Sequence, residues 1–234
     1  MILVLTCAVF FLSDAAYAIS APLRWDSKAL LVAGATASVG AGLFLADKEI
    51  RTLTLDNQRE GLISLADGFD HLGDGLWLSG GLLAASGLGL ATRNSALADA
   101  GLVGMESWVL AGVISQVGKY ALGRARPFTD EGPLSFNIVA WDEDHHSFPS
   151  GHATVAFAGL SGFAFRTGNP WILAGCLGLA SCVAWARVYQ DAHWVSDVFW
   201  GAALGTAVGY SIAQRHRKSS RGLLFEEGKF IYRF

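Results

Sequence analysis

The chain contains 234 residues, of which 52% are hydrophobic and only 16% are charged. This length favours a single domain, and the apolar fraction exceeds what an ordinary soluble core requires. The formal net charge of −3, without a basic stripe, excludes nucleic acid as a partner, because nothing would neutralise a phosphate backbone. Cys7, Cys176 and Cys182 lie in apolar runs without metal-ligand spacing, so we interpret them as small buried residues.

The first 18 residues resemble a secretory signal, because an apolar run ends in the small-residue cleavage pattern Ala16-Tyr17-Ala18. The basic start of a signal is missing, since no Lys or Arg precedes Arg24. On the strength of the apolar run and the cleavage pattern, we nevertheless predict a signal peptide or anchor over residues 1–18. A helix-bundle domain over 19–214 and a basic cytoplasmic tail over 215–234 complete the predicted organisation.

Six further apolar segments follow, and most have close to the roughly 20 residues that span a bilayer. They lack the alternation of strands, so they predict helices and an all-α, six-helix membrane-embedded bundle. The segments are 28–46, 73–92, 97–118, 152–165, 171–190 and 195–213. In the last one, Gly201, Gly205 and Gly209 form a smooth strip where a neighbouring backbone can approach closely.

Lys and Arg residues outside the motifs are concentrated on one side of the predicted bundle, which marks the cytoplasmic face. They are Arg24, Arg93, Arg166, Arg215, Arg217, Lys218, Arg221, Lys229 and Arg233. The long loops 47–72 and 119–151 lie on the other side, so we predict a multi-pass protein of a bacterial-type inner (plasma) membrane with these loops facing the periplasm or exterior. The charge distribution places residue 19 on the cytoplasmic side, whereas a cleaved signal would deliver it to the outside. The sequence leaves this conflict open.

Two features stand apart from the spanning segments. Helical spacing of apolar residues predicts a short amphipathic helix beside Asp67, Asp70 and His71, which either lies on the membrane surface or packs as a loop helix. The apolar residues are Leu62, Leu65, Phe69 and Leu72. Glu106 is a carboxylate inside the third segment with no partner visible in the sequence.

Three polar clusters interrupt the apolar sequence between residues 119 and 197. Each lies at the end of an apolar segment, so all three can converge on one face of the bundle. The first is Lys119 followed after six residues by Arg126-Pro127, the second is Pro149-Ser150-Gly151-His152, and the third is Arg187, His193 and Asp197.

Each cluster suits phosphate chemistry, although each also has an ordinary structural explanation. His193 and Asp197 share a face if they lie on the opening turn of a helix, as a nucleophile and the carboxylate that orients it would. The alternative is structural: a hydrogen-bonded His near a helix start, and an Asp that the positive end of the helix dipole favours. Ser150 and Gly151 at a helix start form an anion site, with His152 placed to protonate a leaving oxygen. The alternative for this cluster is a Ser-capped helix.

The cations would neutralise the oxygens of a five-coordinate phosphorus. Lys119 and Arg126 lie two helical turns apart, hence on one face if the helix continues to Pro127. Arg187 lies six residues before His193. The alternative for each cation is snorkelling at the membrane interface.

In order and spacing, the three clusters resemble the signature of the type-2 phosphatidic acid phosphatases, which share a fold with vanadium haloperoxidases and bacterial acid phosphatases. That signature is a Lys six residues before Arg-Pro, then Pro-Ser-Gly-His, then Ser-Arg followed by His and Asp. The resemblance covers residues 119–201 and extends over the six-segment layout. One departure is Ala186, where the signature usually has Ser.

This resemblance implies hydrolysis of a lipid or isoprenoid phosphomonoester or pyrophosphate through a phosphohistidine, with no metal and no cofactor. His193 would be the nucleophile, Asp197 its orienter, and His152 the general acid that later activates water. The phosphate ligands would be Lys119, Arg126, Ser150, Gly151 and Arg187. The partners expected are the membrane and the lipid phosphate; the oligomeric state and the particular lipid are not indicated.

The sequence is compatible with four alternative functions. A periplasmic acid phosphatase would act on soluble phosphomonoesters, and a vanadium-dependent haloperoxidase would use the same pocket for vanadate. A non-enzymatic bundle is the third. The fourth is a metal site, because residues that bind divalent ions crowd one loop without regular spacing: Asp142, Glu143, Asp144, His145, His146 and His152.

Overall fold

Helices account for most of the residues that the computed structural model describes, which are 2–218, 222–226 and 229–233. The eight α-helices of this described part are α1 Ile2–Ile19, α2 Ser27–Asp56, α3 Glu60–Gly73, α4 Gly75–Ala91, α5 Ser95–Leu122, α6 Gly151–Thr167, α7 Pro170–Tyr189 and α8 Val195–Lys218. Strands β1 Gly222–Glu226 and β2 Lys229–Arg233 pair as an antiparallel hairpin. The chain is therefore an α-helical bundle with a small C-terminal hairpin.

The predicted helical bundle is confirmed, since each of the six apolar segments forms a helix. Two helices add to the predicted six, namely α1 over the predicted signal or anchor and α3 over the amphipathic stretch. The predicted tail contains the last turn of α8 and the hairpin, which the composition did not indicate.

Helix ends follow local chemistry. Asp26 caps α2 by accepting from the backbone N–H of Ala29 at 2.8 Å, and Asn169 caps α7 in the same manner. Gly123 ends α5 in the left-handed conformation (φ 56°), where a Cβ would collide with the carbonyl oxygen of Asn137. The helix therefore stops at Leu122, and the condition that it continue to Pro127 is not met.

The predicted glycine strip on α8 is confirmed as a close helix contact. A Cβ added to Gly201 would lie 2.8 Å from the carbonyl oxygen of Ser150, and one added to Gly205 would collide with the backbone of Thr154. Small residues thus let α8 pack directly on α6. The consequence for the site is that the N-terminal ends of α6 and α8 lie side by side, joined by a hydrogen bond from the Ser150 N–H to the Asp197 carbonyl at 3.1 Å.

The amphipathic helix α3 packs on α7. Ala66 and Phe69 contact a cluster that contains Ala186, Trp185 and Tyr189. The leucines predicted on the apolar face remain partly accessible in the isolated chain, at 38–48% exposure for Leu62, Leu65 and Leu72. Residues 60–73 therefore form a wall beside the end of α7, and a position on the membrane surface stays a prediction.

Three helices of the described chain are long and apolar enough to cross a membrane: Ser27–Asp56, Ser95–Leu122 and Pro170–Tyr189. The shorter helix Gly75–Ala91 is also apolar. Large aliphatic residues lie exposed along α2, where Leu31 and Leu45 are 73% and 81% accessible. Such helices fit a lipid environment.

Glu106 has partners that the sequence did not reveal. Its carboxylate lies 3.0 Å from Nε2 of His216 on α8, and the buried Asp14 of α1 lies 3.3 Å from the same nitrogen. Arg215 forms an ion pair with Asp14. A buried polar cluster thus joins α1, α5 and α8, while cleavage of residues 1–18 stays a prediction.

Candidate active site

The three polar clusters meet at one end of the bundle. Lys119 near the end of α5 packs against the start of α6, since a Cβ added to Gly151 would lie 3.3 Å from its Cε. Arg126 donates from Nη1 to the carbonyl of Ala192 at 3.2 Å, directly before His193. An extended segment after Gly123, rather than a continued helix, brings Arg126 there.

His193 lies in the turn that precedes α8 rather than on its opening turn, and its side chain is buried. Its Nδ1 is 3.4 Å from the Ser147 hydroxyl and 3.6 Å from Oδ2 of Asp197. Ser147 donates to the same Oδ2 at 2.5 Å. The carboxylate is thus slightly beyond hydrogen-bond distance of the ring, and the Ser147 hydroxyl lies next to both.

Asp197 is held by groups that the sequence did not single out. Arg124 donates from Nη1 to its Oδ1 at 2.5 Å, and the backbone N–H of Trp194 donates to its Oδ2 at 2.9 Å. Arg124 is fully buried and also donates to Asp47 of α2 at 2.7 Å. Asp47 in turn accepts from the backbone N–H and hydroxyl of Ser196. One guanidinium therefore ties two buried carboxylates together behind His193.

The start of α6 has the features of an anion site. Ser150 is the buried N-cap, and its hydroxyl accepts from the Ala153 N–H at 3.5 Å. The first N–H groups of a helix have no intrahelical acceptor, and the helix dipole makes this end positive. Gly151 leaves room there for the aliphatic stem of Lys119.

The cations are fixed by backbone and side-chain oxygens. Lys119 donates from Nζ to the carbonyl of His146, and Arg126 donates from Nε to that of Glu143 at 2.9 Å. Arg187 binds Asp70 of α3 and Gln190, while its buried Nε has no partner among the described residues. Each group keeps donor capacity for an anion.

Burial lowers the pKa of His193 well below its usual value, and the positive charges of Lys119, Arg126 and Arg187 lower it further. The imidazole is therefore neutral at neutral pH, with an unprotonated ring nitrogen that can act as a nucleophile.

His152 lies at the opposite wall of the site, beside α3. Its Nε2 is 3.7 Å from Oδ1 of Asp70, and Gly73 packs against its ring, so that an added Cβ would lie 3.1 Å from Cδ2. Asp70 was not among the predicted site residues. The amphipathic helix thus contributes a carboxylate to the site.

In the acidic loop, residues 142–146, the side chains do not converge as the ligands of one metal ion would. The His145 ring forms a hydrogen bond with Asp142 at 2.6 Å. This bond raises the pKa of His145, because it outweighs the opposing effect of burial. His146 instead faces the carbonyl of Ala140. Within the described chain, the group with metal-ligand spacing is Asp14, Glu106 and His216, about 28 Å along α8 from Asp197.

The three motif clusters lie within the part of the chain that matches a known protein family. The model of the PAP2 superfamily matches residues 102–221. Lipid A 1-phosphatase of Porphyromonas gingivalis is 35% identical over 102 residues, which are 43% of this chain and 20% of that protein. The Rhizobium etli lipid A 1-phosphatase is 36% identical over 99 residues, 42% of each chain. The matched stretch therefore spans less than half the length of these relatives.

A longer match is decaprenylphosphoryl-5-phosphoribose phosphatase of Mycobacterium tuberculosis, 31% identical over 153 residues, which are 64% of this chain and 78% of that protein. Among solved structures, the transmembrane PAP2-type phosphatidylglycerolphosphate phosphatase of Bacillus subtilis superposes with a TM-score of 0.61 over 92% of this chain and 96% of that chain, at 21% identity. Aquifex aeolicus LpxE superposes with a TM-score of 0.52 over 72% and 94%, at 22% identity. The fold is that of multi-pass membrane proteins.

Proposed function

We propose that this chain, which belongs to the PAP2 superfamily, is a membrane phosphatase that hydrolyses a lipid or isoprenoid phosphomonoester or pyrophosphate. The observation that carries the proposal is the buried His193 beside Asp197, with Arg126 bonded to the preceding carbonyl of Ala192 and the N-terminal end of α6 joined to Asp197. Relatives are named as acting on lipid A, undecaprenyl diphosphate and a decaprenyl phosphosugar. These names support an amphiphilic phosphate as the substrate.

The first step is attack of His193 Nε2 on phosphorus. Its Nδ1, beside Ser147 and Asp197, carries the proton, which leaves the lone pair on Nε2. As the N–P bond forms, the bond from phosphorus to the leaving oxygen breaks, and His152 donates a proton to that oxygen. Asp197 stabilises the positive charge that develops on the ring.

The second step hydrolyses the phosphohistidine. His152, now neutral, removes a proton from water as the water oxygen attacks phosphorus and the N–P bond breaks. Orthophosphate leaves, and both imidazoles return to their starting states. Lys119, Arg126, Arg187, Ser150 and the Gly151 N–H stabilise the oxygens of the five-coordinate phosphorus in both steps.

We also propose a domain organisation and a location for the protein. Residues 1–18 are a signal or anchor, 19–214 the phosphatase domain and 215–234 a basic cytoplasmic tail. The concentration of Lys and Arg at the end opposite the site supports insertion in an inner membrane with the site facing the periplasm or exterior.

The test is phosphate release by the purified full chain in detergent, across a panel of lipid and soluble phosphates, with and without chelator. His193→Ala should lower turnover by several orders of magnitude with folding intact, because the covalent step is lost. His145→Ala is the matched control, since that ring binds Asp142 on the acidic loop, and it should keep near wild-type activity. Wild-type-like turnover by His193→Ala would refute the mechanism, and activity that required a metal after chelation would favour a metal site instead.

A further inference from the structure

Asp70 brings a carboxylate between two groups of the site. Its Oδ1 forms an ion pair with Nη1 of Arg187 and lies 3.7 Å from Nε2 of His152. It belongs to α3, outside the region 102–221 that the family model matches. Neither the motifs nor the comparisons give this residue a role.

The position of Asp70 is set by packing. Ala66, one turn before Asp70, and Phe69, directly before it, lie against Ala186 and Trp185 of α7. Gln190 strengthens this contact, because it donates to Asp67 at 2.8 Å and accepts from Arg187 at 3.0 Å. The carboxylate is therefore a fixed part of the wall.

Arg187 can bind a phosphoryl group while it remains paired with Asp70. The carboxylate and Gln190 both engage Nη1, whereas the buried Nε has no partner among the described residues. A guanidinium has donors on more than one edge. Asp70 thus orients the side chain and leaves an edge for the anion.

The leaving group departs on the side of Asp70, because His152 protonates the leaving oxygen and Asp70 is next to His152. A phosphomonoester releases an uncharged alcohol there. A diphosphate releases a phosphate monoester, which carries its own negative charge and would be repelled by the carboxylate.

We propose that Asp70 is a specificity-determining residue that favours lipid phosphomonoesters over diphosphates by repelling an anionic leaving group. This rests on the proposed phosphatase function and narrows its substrate class. Asp70 acts on the part of the substrate that leaves, whereas the three cations act on the phosphoryl group that is transferred.

The test compares an isoprenyl diphosphate with nitrophenyl phosphate, using the purified full chain in detergent. Both leaving groups depart without strong help from an acid, so a change in the proton affinity of His152 affects them alike. Nitrophenolate leaves with a single charge that is spread over its ring, whereas the diphosphate releases a phosphate monoester with up to two charges on its oxygens, so the carboxylate of Asp70 should repel the diphosphate leaving group more strongly. In Asp70→Asn the ratio of kcat/KM for the diphosphate to that for the aryl monoester should rise roughly tenfold, equivalent to about 1.4 kcal/mol of lost repulsion. A purely structural defect would lower both values and leave the ratio unchanged.

Three further variants make the result decisive. Asp67→Asn, on the same helix but bound to Gln190, should keep the wild-type ratio. Asp70→Glu keeps the charge and should keep the ratio, and Asp70→Ser provides a second neutral variant if Asn impairs folding. An unchanged ratio in the folded neutral variants, or an equal rise in Asp67→Asn, would overturn the role of Asp70. The phosphatase proposal would still stand if His193→Ala were inactive in the same assay.

Discussion

Arg124 offers the sharpest test of how the site is supported. Its side chain is fully buried and donates to Asp47 at 2.7 Å and to Asp197 at 2.5 Å. Replacing it with Ala leaves two carboxylates buried without their shared cation. The defect is therefore expected in folding stability as well as in the orientation of Asp197.

The expected magnitude follows from the burial of the pair. Removing one partner of a buried ion pair costs about 3–5 kcal/mol. For a chain of this size, 1 kcal/mol in the free energy of unfolding corresponds to roughly 2–4 °C in melting temperature. Arg124→Ala should therefore melt roughly 6–20 °C below the wild type.

Thermal unfolding of the purified protein in detergent can be followed by tryptophan fluorescence, because Trp194 lies beside the Arg124 guanidinium, 5.6 Å from ring centre to Cζ. Adding Asp47→Asn to Arg124→Ala should recover part of the loss, since it removes one bare charge, and the two changes should be non-additive by more than about 1 kcal/mol. Arg126→Ala is the control, because Arg126 bonds to the carbonyls of Glu143 and Ala192 and its loss exposes no carboxylate. If Arg124→Ala melts as Arg126→Ala does, the account of this network is wrong.

Two predictions concern catalysis. His152→Ala should reduce kcat far more for an alkyl phosphate than for nitrophenyl phosphate, by about 10²–10⁴ for the substrate whose leaving oxygen needs a proton; equal losses for both substrates would exclude an acid role. Because the pKa of His193 is lowered, the ring stays neutral as the pH falls through the usual pKa of a histidine. Protonation of His193 should therefore reduce the wild-type kcat/KM only at more acidic pH. Arg126→Ala removes a positive charge that lowers this pKa, so its acid limb should move to higher pH, whereas the exposed Lys28→Ala on α2 should leave the limb in place; identical limbs in all three proteins would contradict the electrostatic account.

The helices and the meeting of the three motifs were predictable because both depend on local pattern. Apolar runs of about 20 residues indicate helices, and Gly201, Gly205 and Gly209 indicated the close contact that aligns α8 with α6. Motif spacing then placed His193, Ser150 and Lys119 at helix ends on one side. The roles of these residues remain proposals.

The supporting residues were not predictable, because their partners are distant in sequence. Arg124 is 77 residues from Asp47, and Arg187 is 117 residues from Asp70. Isolated acids in an apolar segment or a surface helix carry no spacing that would pair them with a particular cation. The prediction for Arg126 depended on a continuous helix, whereas Gly123 turns the chain at φ 56°. That turn also brings Arg124 into the interior.

Ala186, the departure from the family signature, gains significance from the packing of α3. It is fully buried and lies in the cluster with Ala66 of α3. A methyl group there permits an apolar contact with the helix that carries Asp70. If Asp70 selects the leaving group as proposed, substrate preference is adjustable from a separate segment. Exchanging the inner face of residues 60–73 would then alter the exit for the departing group while every motif residue stayed intact.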